Sequence, residues 1–468
     1  MTLAELPTPT LTKFDRLTGL PVAVIGAGPV GLAAAAQLLE RGIDVVVLEA
    51  GESAGAAVTS WGHTRLFSPW EYLIDEAAAR LLDKTDWESP AAKRLPYGRD
   101  LVEQYLEPLA ATPELAPRIR YGATVTDVSR QGMDRTRSNG RASAPFVIRV
   151  RDESGNSEQV LARAVIDASG TYSSANGLLA SGLQPAAAET VGEHITHALP
   201  DVLGEDRDRF AGKATLVVGA GHSAANTLIR LAQLADEVPG TTVTWAIRNV
   251  SPVRVYGSEN DELEARGKLG STVHDLVRAG KVALVDRFEI DDVEAIGDGR
   301  VRAVGRRRHE AAAVEADTIV NATGFRPNLD MLRELRLQLD DVVEAPAKLA
   351  PLIDPNLHSC GTVYPHGVDE LAHPEPNFFV AGMKSYGRAP TFLLLTGYEQ
   401  VRSIADELAG NTTAARQVQL VLPETGVCST TAPNPDGTVA DAGSCATDTS
   451  CGTQPSVAAS TSTSSCCG

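Results

Sequence analysis

Three glycines at fixed spacing and a later carboxylate are the first residues of this chain whose types suggest chemistry. They form the run Gly26-Ala-Gly28-Pro-Val-Gly31, and Glu49 follows after one helix and one strand. In such a run the first glycine permits a tight turn, the second lets a diphosphate approach the backbone, and the third lets a helix pack closely. Glu49 is placed to accept hydrogen bonds from both hydroxyls of a ribose. The pattern predicts a dinucleotide site.

The elements needed to position these residues are also predicted by the sequence. Residues 21–25 are a short apolar run typical of a buried parallel strand, and residues 32–41 are rich in helix-forming residues. Residues 44–48 predict a second strand, which ends at the acid. Pro29 suits the first helical turn, where no N–H is required, and the free N–H groups there favour phosphate.

A second run of the same kind lies in the middle of the chain. A strand predicted at 214–218 precedes Gly219-Ala-Gly221-His-Ser-Ala, a helix follows, and the next strand ends at Arg248. An acid at that position would select NADH, whereas an arginine can pair with the 2′-phosphate of NADPH. We therefore predict an NADPH site; the alternative is a surface arginine in a protein that uses NADH.

Two further segments, 164–170 and 317–324, match each other. Each is an apolar strand that ends in two small residues and a glycine, Gly170 or Gly324. Such an end allows close approach of the backbone to a cofactor or across a domain junction. The alternative is a tight turn without a ligand.

Taken together, these motifs resemble flavoproteins with two dinucleotide-binding domains, and among them the flavin-containing and related single-component monooxygenases. The motifs that carry the likeness, over roughly residues 20–410, are Gly26-x-Gly28-x-x-Gly31, Gly219-x-Gly221-x-x-Ala224 and Ala322-Thr-Gly324-Phe-x-Pro327. The resemblance implies an α/β fold in which an FAD-binding Rossmann-like domain is split by an inserted NAD(P)H-binding Rossmann-like domain. The corresponding division is 1–200 and 319–422 for the FAD-binding domain, 201–318 for the NADPH-binding domain, and 423–468 for a disordered C-terminal tail.

The resemblance also assigns residues to the two cofactors. The segment 377–387 resembles the last FAD-contact element of the family, with a helix expected to start beneath the flavin. The residues assigned to FAD are Gly26, Gly28, Pro29, Val30, Gly31, Glu49, Ala50, Trp61, Phe67, Val125, Gly170, Gly382 and Met383. The residues assigned to NADPH are Gly219, Gly221, His222, Ser223, Arg248 and Gly324.

The stretch from Trp61 to Trp70 contains the candidate catalytic residues. In this fold such a stretch passes the isoalloxazine ring, so that Trp61 and Phe67 are candidates for its walls. Arg65 is a candidate for stabilising negative charge on the reduced ring, and His63 for proton transfer. The alternative for the whole stretch is ordinary packing of aromatic rings beside a surface arginine.

Composition restricts the partners. The net charge of −18 argues against nucleic acid or an anionic membrane as the main partner. The chain shows no apolar run long enough to span a bilayer and no secretory signal, so a cytoplasmic location is expected. The expected partner is a small-molecule or metalloid substrate, and a homodimer is the assembly to be considered.

Cysteine is concentrated near the C-terminus, where residues 423–468 are rich in Ser, Thr, Ala and Gly and are predicted to be disordered. The candidate ligands of a metal or metalloid ion are Cys445, Cys451, Cys466 and Cys467. Thiolates favour soft ions such as trivalent arsenic. The alternatives are a redox relay through the adjacent pair, as in mercuric reductase, and thiols without a role.

Three functions follow. The first is an FAD-dependent, NADPH-consuming oxidoreductase, monooxygenase-like and acting on a soft small substrate such as a trivalent arsenical. Residues 61–70 and 381–395 support that substrate through their resemblance to actinobacterial flavoproteins associated with arsenic resistance. The second is a pyridine-nucleotide-dependent reductase of a disulfide or metal ion that uses the tail cysteines. The third is a non-catalytic flavoprotein that sequesters metalloid.

Overall fold

The computed structural model describes residues 16–250, 264–355, 366–389 and 392–420. The tail predicted to be disordered, residues 423–468, lies outside these ranges together with its cysteines. Cys360 lies outside them as well.

The strands of the described ranges are mostly short and apolar. In chain order they are β1 Val22–Ile25, β2 Val45–Leu48, β3 Ile119–Arg120, β4 Thr124–Arg130, β5 Phe146–Arg151, β6 Ser157–Ala162, β7 Ala164–Asp167, β8 Ile195–His197, β9 Ala214–Val218, β10 Thr242–Ala246, β11 Ala283–Val285, β12 Phe288–Ile296, β13 Arg300–Arg307, β14 Glu310–Ala316, β15 Thr318–Asn321 and β16 Phe378–Val380.

The helices differ widely in length. The α-helices are α1 Pro29–Glu40, α2 Ala56–Thr59, α3 Glu76–Leu82, α4 Gly98–Leu101, α5 Glu107–Ala110, α6 Ala188–Val191, α7 Arg207–Phe210, α8 His222–Glu237, α9 Glu264–Arg278, α10 Ala350–Ile353, α11 Val368–Leu371, α12 Leu394–Leu408 and α13 Thr412–Arg416. A π-helical turn, Val102–Leu106, joins α4 to α5, and a 3₁₀ segment, Gly382–Tyr386, follows β16. In the described part of the chain no helix is long and apolar enough to cross a membrane.

Two five-stranded sheets, parallel at every pairing, organise the chain. The first has the order β3-β2-β1-β7-β16 and the second the order β11-β10-β9-β15-β8. Chain order reverses between β1 and β7 in the first sheet and between β9 and β15 in the second. In open α/β sheets, ligands bind outside the carboxyl ends of the strands at such a reversal. The predicted α/β fold with two Rossmann-like sheets is confirmed.

Each parallel sheet is covered on both faces. On the first sheet, Val22 and Val24 pack with α1, whereas Ala23 and Ile25 pack with the antiparallel sheet β4-β5-β6. The second sheet packs in the same way between α8 and the antiparallel sheet β12-β13-β14. Strands buried on both faces need apolar residues at every position, which is why these runs lack the alternation of a half-exposed strand.

The second sheet extends beyond the limits predicted for the inserted domain, 201–318. Its edge strand Ile195–His197 pairs with Thr318–Asn321, and that strand in turn pairs with Ala214–Val218. Backbone hydrogen bonds between distant segments decide which sheet a strand joins, and local sequence pattern does not report them.

Candidate functional site

The first glycine turn lies at the carboxyl end of β1, where the strand order reverses. Gly26 has a φ of +100°, and a Cβ there would lie 2.9 Å from the carbonyl oxygen of Ala168. A Cβ on Gly31 would lie 1.9 Å from the carbonyl oxygen of Gly26, so that only glycine allows α1 to start this close to the turn. A Cβ on Gly28 would meet no heavy atom within 4 Å, so the backbone there is open. The turn fits a diphosphate, with Pro29 at the first position of α1.

Glu49 connects this turn to the loop that follows β2. Its carboxylate accepts hydrogen bonds from the backbone N–H groups of Ala27, at 2.6 Å, and Gly51, at 2.8 Å. Each carboxylate oxygen has a second lone pair with which to accept a ribose hydroxyl. The N–H of Ala123 donates to the Glu49 carbonyl oxygen at 2.8 Å, which places the start of β4, and with it Val125, alongside this acid. The neighbouring Ala50 is exposed.

The segment after β16 packs directly on the first turn. Gly382 has a φ of +69°, and a Cβ there would lie 3.2 Å from the Cβ of Val30. The N–H of Gly382 donates to the Gln400 side chain at 2.8 Å, and α12, which carries that glutamine, begins at Leu394. The structure thus brings the predicted FAD residues Val30, Gly382 and Met383 to one place. Gln400 was not predicted from the sequence, because a single glutamine within a helix has no local pattern that marks it as part of a site.

Sequence reasoning also missed a buried ion pair at the same edge of the sheet. The Lys384 ammonium lies 2.7 Å from the Asp167 carboxylate and 3.0 Å from the Ser169 hydroxyl. The one available signal was an aspartate at the end of an otherwise apolar strand.

The second glycine turn lies at the carboxyl end of β9. Gly219 has a φ of +133°, and a Cβ there would lie 2.1 Å from the carbonyl oxygen of Ala322. Gly221 has open space, and α8 begins at the next residue. A cleft with a volume of about 500 Å³ opens here. Among its lining residues are the whole predicted NADPH set and one predicted FAD residue: Gly219, Gly221, His222, Ser223, Arg248, Gly324 and Met383.

Arg248 follows the end of β10 and is exposed. One of its terminal nitrogens donates to the carbonyl oxygen of Ala180 at 3.0 Å, which holds the side chain against the rim of the cleft. A guanidinium has five N–H groups, so that others remain for a phosphate.

The stretch 61–70 divides into residues near the cleft and residues away from it. The ring of Phe67 lies 5.6 Å from the ring of His222, which links this stretch to the second turn. Trp61 instead packs on the backbone of Gly98, where a Cβ would come within 2.8 Å of the indole ring. His63 is half-buried, Arg65 is exposed, and neither lines the cleft.

The two matching strand ends lie at the junction between the two sheets. Gly170 and Gly324 both have positive φ, +71° and +99°. The segments after them run antiparallel, because the N–H of Asn176 donates to the Gly324 carbonyl oxygen at 3.0 Å and Ala175 bridges Phe325. Asn176, which sequence reasoning missed, lines the cleft.

No metal site is visible in the described ranges, where no group of three or more His, Cys, Asp or Glu side chains could hold an ion. The predicted ligands Cys445, Cys451, Cys466 and Cys467 lie outside those ranges.

Comparisons with known proteins show the family to which this fold belongs. The sequence profile described as pyridine nucleotide-disulphide oxidoreductase matches residues 23–360. An indole-3-pyruvate monooxygenase of Oryza sativa is 31% identical over 325 residues, which are 68% of this chain and 67% of that protein.

Solved structures show the same fold. The bacillithiol disulfide reductase of Bacillus cereus has a TM-score of 0.62 at 19% identity, covering 84% of this chain and 99% of that one. The FAD-bound cadaverine monooxygenase of the desferrioxamine pathway in Erwinia amylovora has a TM-score of 0.58 at 16% identity, covering 87% and 98%. The predicted enzyme class, an FAD- and NAD(P)H-dependent oxidoreductase of a monooxygenase-like family, is confirmed.

Proposed function

Because the chain belongs to the pyridine nucleotide-disulphide oxidoreductase family, we propose that it is an FAD-dependent monooxygenase that consumes NADPH. The observation that carries this proposal is the position of Met383. It follows Gly382, which packs on the first glycine turn, and it lines the cleft of the second. Cofactors bound at the two turns would therefore meet at one place, as a hydride transfer between them requires.

The residues of the two turns have separate tasks in this proposal. The open backbone at Gly28 and the start of α1 hold the diphosphate of FAD, and Glu49 holds its ribose. The open backbone at Gly221 and the guanidinium of Arg248 hold NADPH through its diphosphate and its 2′-phosphate. When bound, FAD supplies the hydride-accepting and oxygen-activating chemistry itself.

Two observations favour oxygen insertion over disulfide reduction. The relative that is 31% identical is a monooxygenase. Moreover, residues 16–355, which contain both glycine turns, include no cysteine. Those residues therefore offer no thiol that could pass electrons from flavin to a disulfide by thiol–disulfide exchange.

For the substrate we propose a trivalent arsenical. The support is the resemblance of residues 61–70 and 381–395 to arsenic-resistance flavoproteins and the thiol-rich tail, since thiolates bind trivalent arsenic. In the reaction NADPH supplies two electrons, one atom of O₂ is bonded to arsenic, which is oxidised from As(III) to As(V), and the other atom leaves as water.

The test is to measure NADPH consumption and oxygen uptake by the purified full-length protein with and without arsenite. We expect arsenite to stimulate both, in equal amounts, with arsenate as product. NADPH-dependent uptake of oxygen that arsenite does not change would refute the arsenical and leave the monooxygenase proposal to other substrates. Absence of bound flavin after reconstitution would refute the whole proposal.

A second candidate, reduction of a disulfide or metal ion, is favoured by the adjacent pair Cys466-Cys467. It predicts NADPH consumption without oxygen when a disulfide or Hg(II) is supplied, and loss of that turnover in Cys466→Ser/Cys467→Ser. The oxygen-dependent reaction would be unchanged in the same variant. Retention of arsenic without any turnover would instead indicate a sequestering protein.

A further inference from the structure

A buried ion pair lies at the carboxyl ends of the strands of the first parallel sheet. The stability that such a pair gives to the fold does not by itself explain why it is there. Lys384 and Asp167 are 2% and 0% exposed, and their charged atoms are 2.7 Å apart. Taking two charges out of water costs several kcal/mol for each ion, and well-packed apolar residues of similar size often do as well or better. Holding the strands together therefore does not by itself require a charged pair at this position.

The pair lies where the first sheet meets the glycine turn. Asp167 is the last residue of β7 and is in register with Ile25, which precedes the turn, and with Val380 at the end of β16. Lys384 belongs to the 3₁₀ segment that begins at Gly382. Both charges are thus at the carboxyl edge of the sheet, beside the reversal of strand order.

Ser169 connects the pair to open space above the sheet. Its hydroxyl lies 2.7 Å from the Asp167 carboxylate and 3.0 Å from the Lys384 ammonium, and Ser169 itself is exposed. Its Cα is 3.1 Å from the position that a Cβ on Gly26 would take. A Cβ on Gly28 or Gly170 would meet nothing within 4 Å, so there is open space beside the turn. The Ser169 hydroxyl lies between this space and the two charged groups.

The second sheet shows that this turn does not need charge. There Asn321 ends β15, and its side-chain oxygen accepts from the Thr323 hydroxyl at 2.7 Å and from the Thr323 N–H at 3.3 Å. Asp167 accepts from the hydroxyl and N–H of Ser169 at 2.7 and 3.1 Å. An asparagine thus makes the same turn with a neutral side chain, so that the carboxylate and its ammonium partner are an addition confined to the first site.

We propose that the Lys384–Asp167 pair sets the reduction potential of flavin bound at the first turn, Lys384 supplying the positive charge that favours the reduced ring. This inference rests on the proposed function, because it requires FAD at that turn. Reduction places negative charge on the flavin ring, and fixed protein charge nearby changes the energy of that state. Asp167 acts through Lys384 as a positioning residue, and in its absence the positive charge of Lys384 is not balanced.

The test is the equilibrium reduction of bound flavin against a reference dye in three variants. Lys384→Met removes the positive charge, so the equilibrium constant for reduction should fall by about tenfold, ~30 mV for a two-electron couple. Asp167→Asn keeps the hydrogen bonds that Asn321 makes in the second sheet and leaves a positive charge, so the constant should rise by a similar factor. The double variant should return close to the wild-type value.

Asp406→Asn is the matched control. Asp406 is also a buried carboxylate paired with arginine, but it lies about 18 Å along α12 from the start of that helix. Its substitution should leave the potential unchanged. Shifts of the same sign in Lys384→Met and Asp167→Asn, or no shift with flavin bound, would overturn the inference; if Lys384→Met does not fold, Asp167→Asn and the double variant decide. Wild-type protein that binds no flavin would refute the proposed function instead.

Discussion

The two glycine turns share one backbone plan and differ in the charges around it. Gly26 and Gly219 both have positive φ, and Gly28 and Gly221 both leave the backbone open. The strand after the first turn ends at an acid, however, whereas the strand after the second is followed by Arg248. The proposed function assigns this one local geometry to two ligands that differ at the ribose.

The comparison extends to the buried charges. Among the described residues, every buried charged side chain lies outside the second parallel sheet and the elements that cover it: Asp75, Arg130, Arg141, Asp167, Glu375, Lys384, Glu399, Arg402 and Asp406. The second parallel sheet and the elements that cover it are here called the second region. Its buried polar side chains are uncharged: Thr215, Thr227, Thr241, Thr318 and Asn321. The first parallel sheet and the elements around it, here called the first region, thus have fixed charge in their interior. The second region has its charged side chains, Arg248 included, outside its core.

The largest effect is expected at the third position of the two turns. Gly31→Ala would place a methyl group 1.9 Å from the carbonyl oxygen of Gly26, which forces the start of α1 away from the turn. Such overpacking costs about 1–3 kcal/mol or more, and here it acts on the turn that we propose to hold the diphosphate of FAD. We expect the purified variant to lose its bound flavin, measured by its visible absorbance.

The second turn provides the control, because its third position is already Ala224. Ala224→Gly should keep its flavin and change the apparent affinity for NADPH only slightly. A Gly31→Ala protein with a full complement of flavin would contradict our account of the first turn.

The next effect concerns the arginine that distinguishes the second turn. In the proposed function Arg248 contacts the 2′-phosphate of NADPH, so Arg248→Ala should remove charge-assisted hydrogen bonds worth about 1.5–3 kcal/mol in total. The KM for NADPH should therefore rise by about 10- to 100-fold, while the KM for NADH changes little. Arg333→Ala, which removes an exposed arginine paired with Asp330, should change neither value. Equal effects on both nucleotides would show that Arg248 does not read the phosphate.

The buried charges of the first region should also determine how stability depends on pH. Burial raises the pKa of Asp75 from 3.8 to about 6. Since the folded protein then binds this proton more tightly than the unfolded chain, stability is lost as pH rises from about 4 to about 6. Asp75→Asn removes this loss. As pH rises from about 4 to about 6, the free energy of unfolding of the variant should therefore increase relative to that of the wild type by about 3 kcal/mol.

Glu375 should show the opposite dependence. Burial acts to raise the pKa of its carboxyl, but hydrogen bonds from Arg141 and Arg130 hold it below its ordinary value. Its contribution to stability is present above the ordinary pKa and is lost as pH falls through the folded value. Glu375→Gln should destabilise the protein at neutral pH, and the difference from wild type should shrink on acidification. Denaturant unfolding at a series of pH values gives the free energy of unfolding of both variants. If the difference from wild type changed with pH in the same direction for both, the opposite roles of Asp75 and Glu375 would be contradicted.

The smallest effect is expected on the exposed hairpin of the second region. Arg306 on β13 forms ion pairs with Asp291 at 3.3 Å and Glu289 at 3.4 Å. Pairs of this kind contribute less than about 1 kcal/mol. Arg306→Ala should therefore change the free energy of unfolding slightly and leave the KM for NADPH unchanged. A large rise in that KM would mean that phosphate contacts extend onto the hairpin.

Local backbone chemistry explains what the sequence by itself determined. The positions of Gly26, Gly28 and Gly31 in one turn follow from spacing, because a positive φ or a missing Cβ is a property of single residues. The uniformly apolar runs of β1 and β9 likewise predict strands buried on both faces. From these features the α/β fold and both turns could be predicted before any contact was known.

Contacts between distant segments were decided only by the tertiary structure. Lys384 meets Asp167, Phe67 meets His222, and Trp61 packs away from the cleft although the stretch 61–70 suggested one shared site. The strand 318–321 joins the second parallel sheet. Its own apolar sequence would suit a strand of either parallel sheet. Such pairings depend on which elements the fold brings together, and neither the period nor the composition of one segment contains that information.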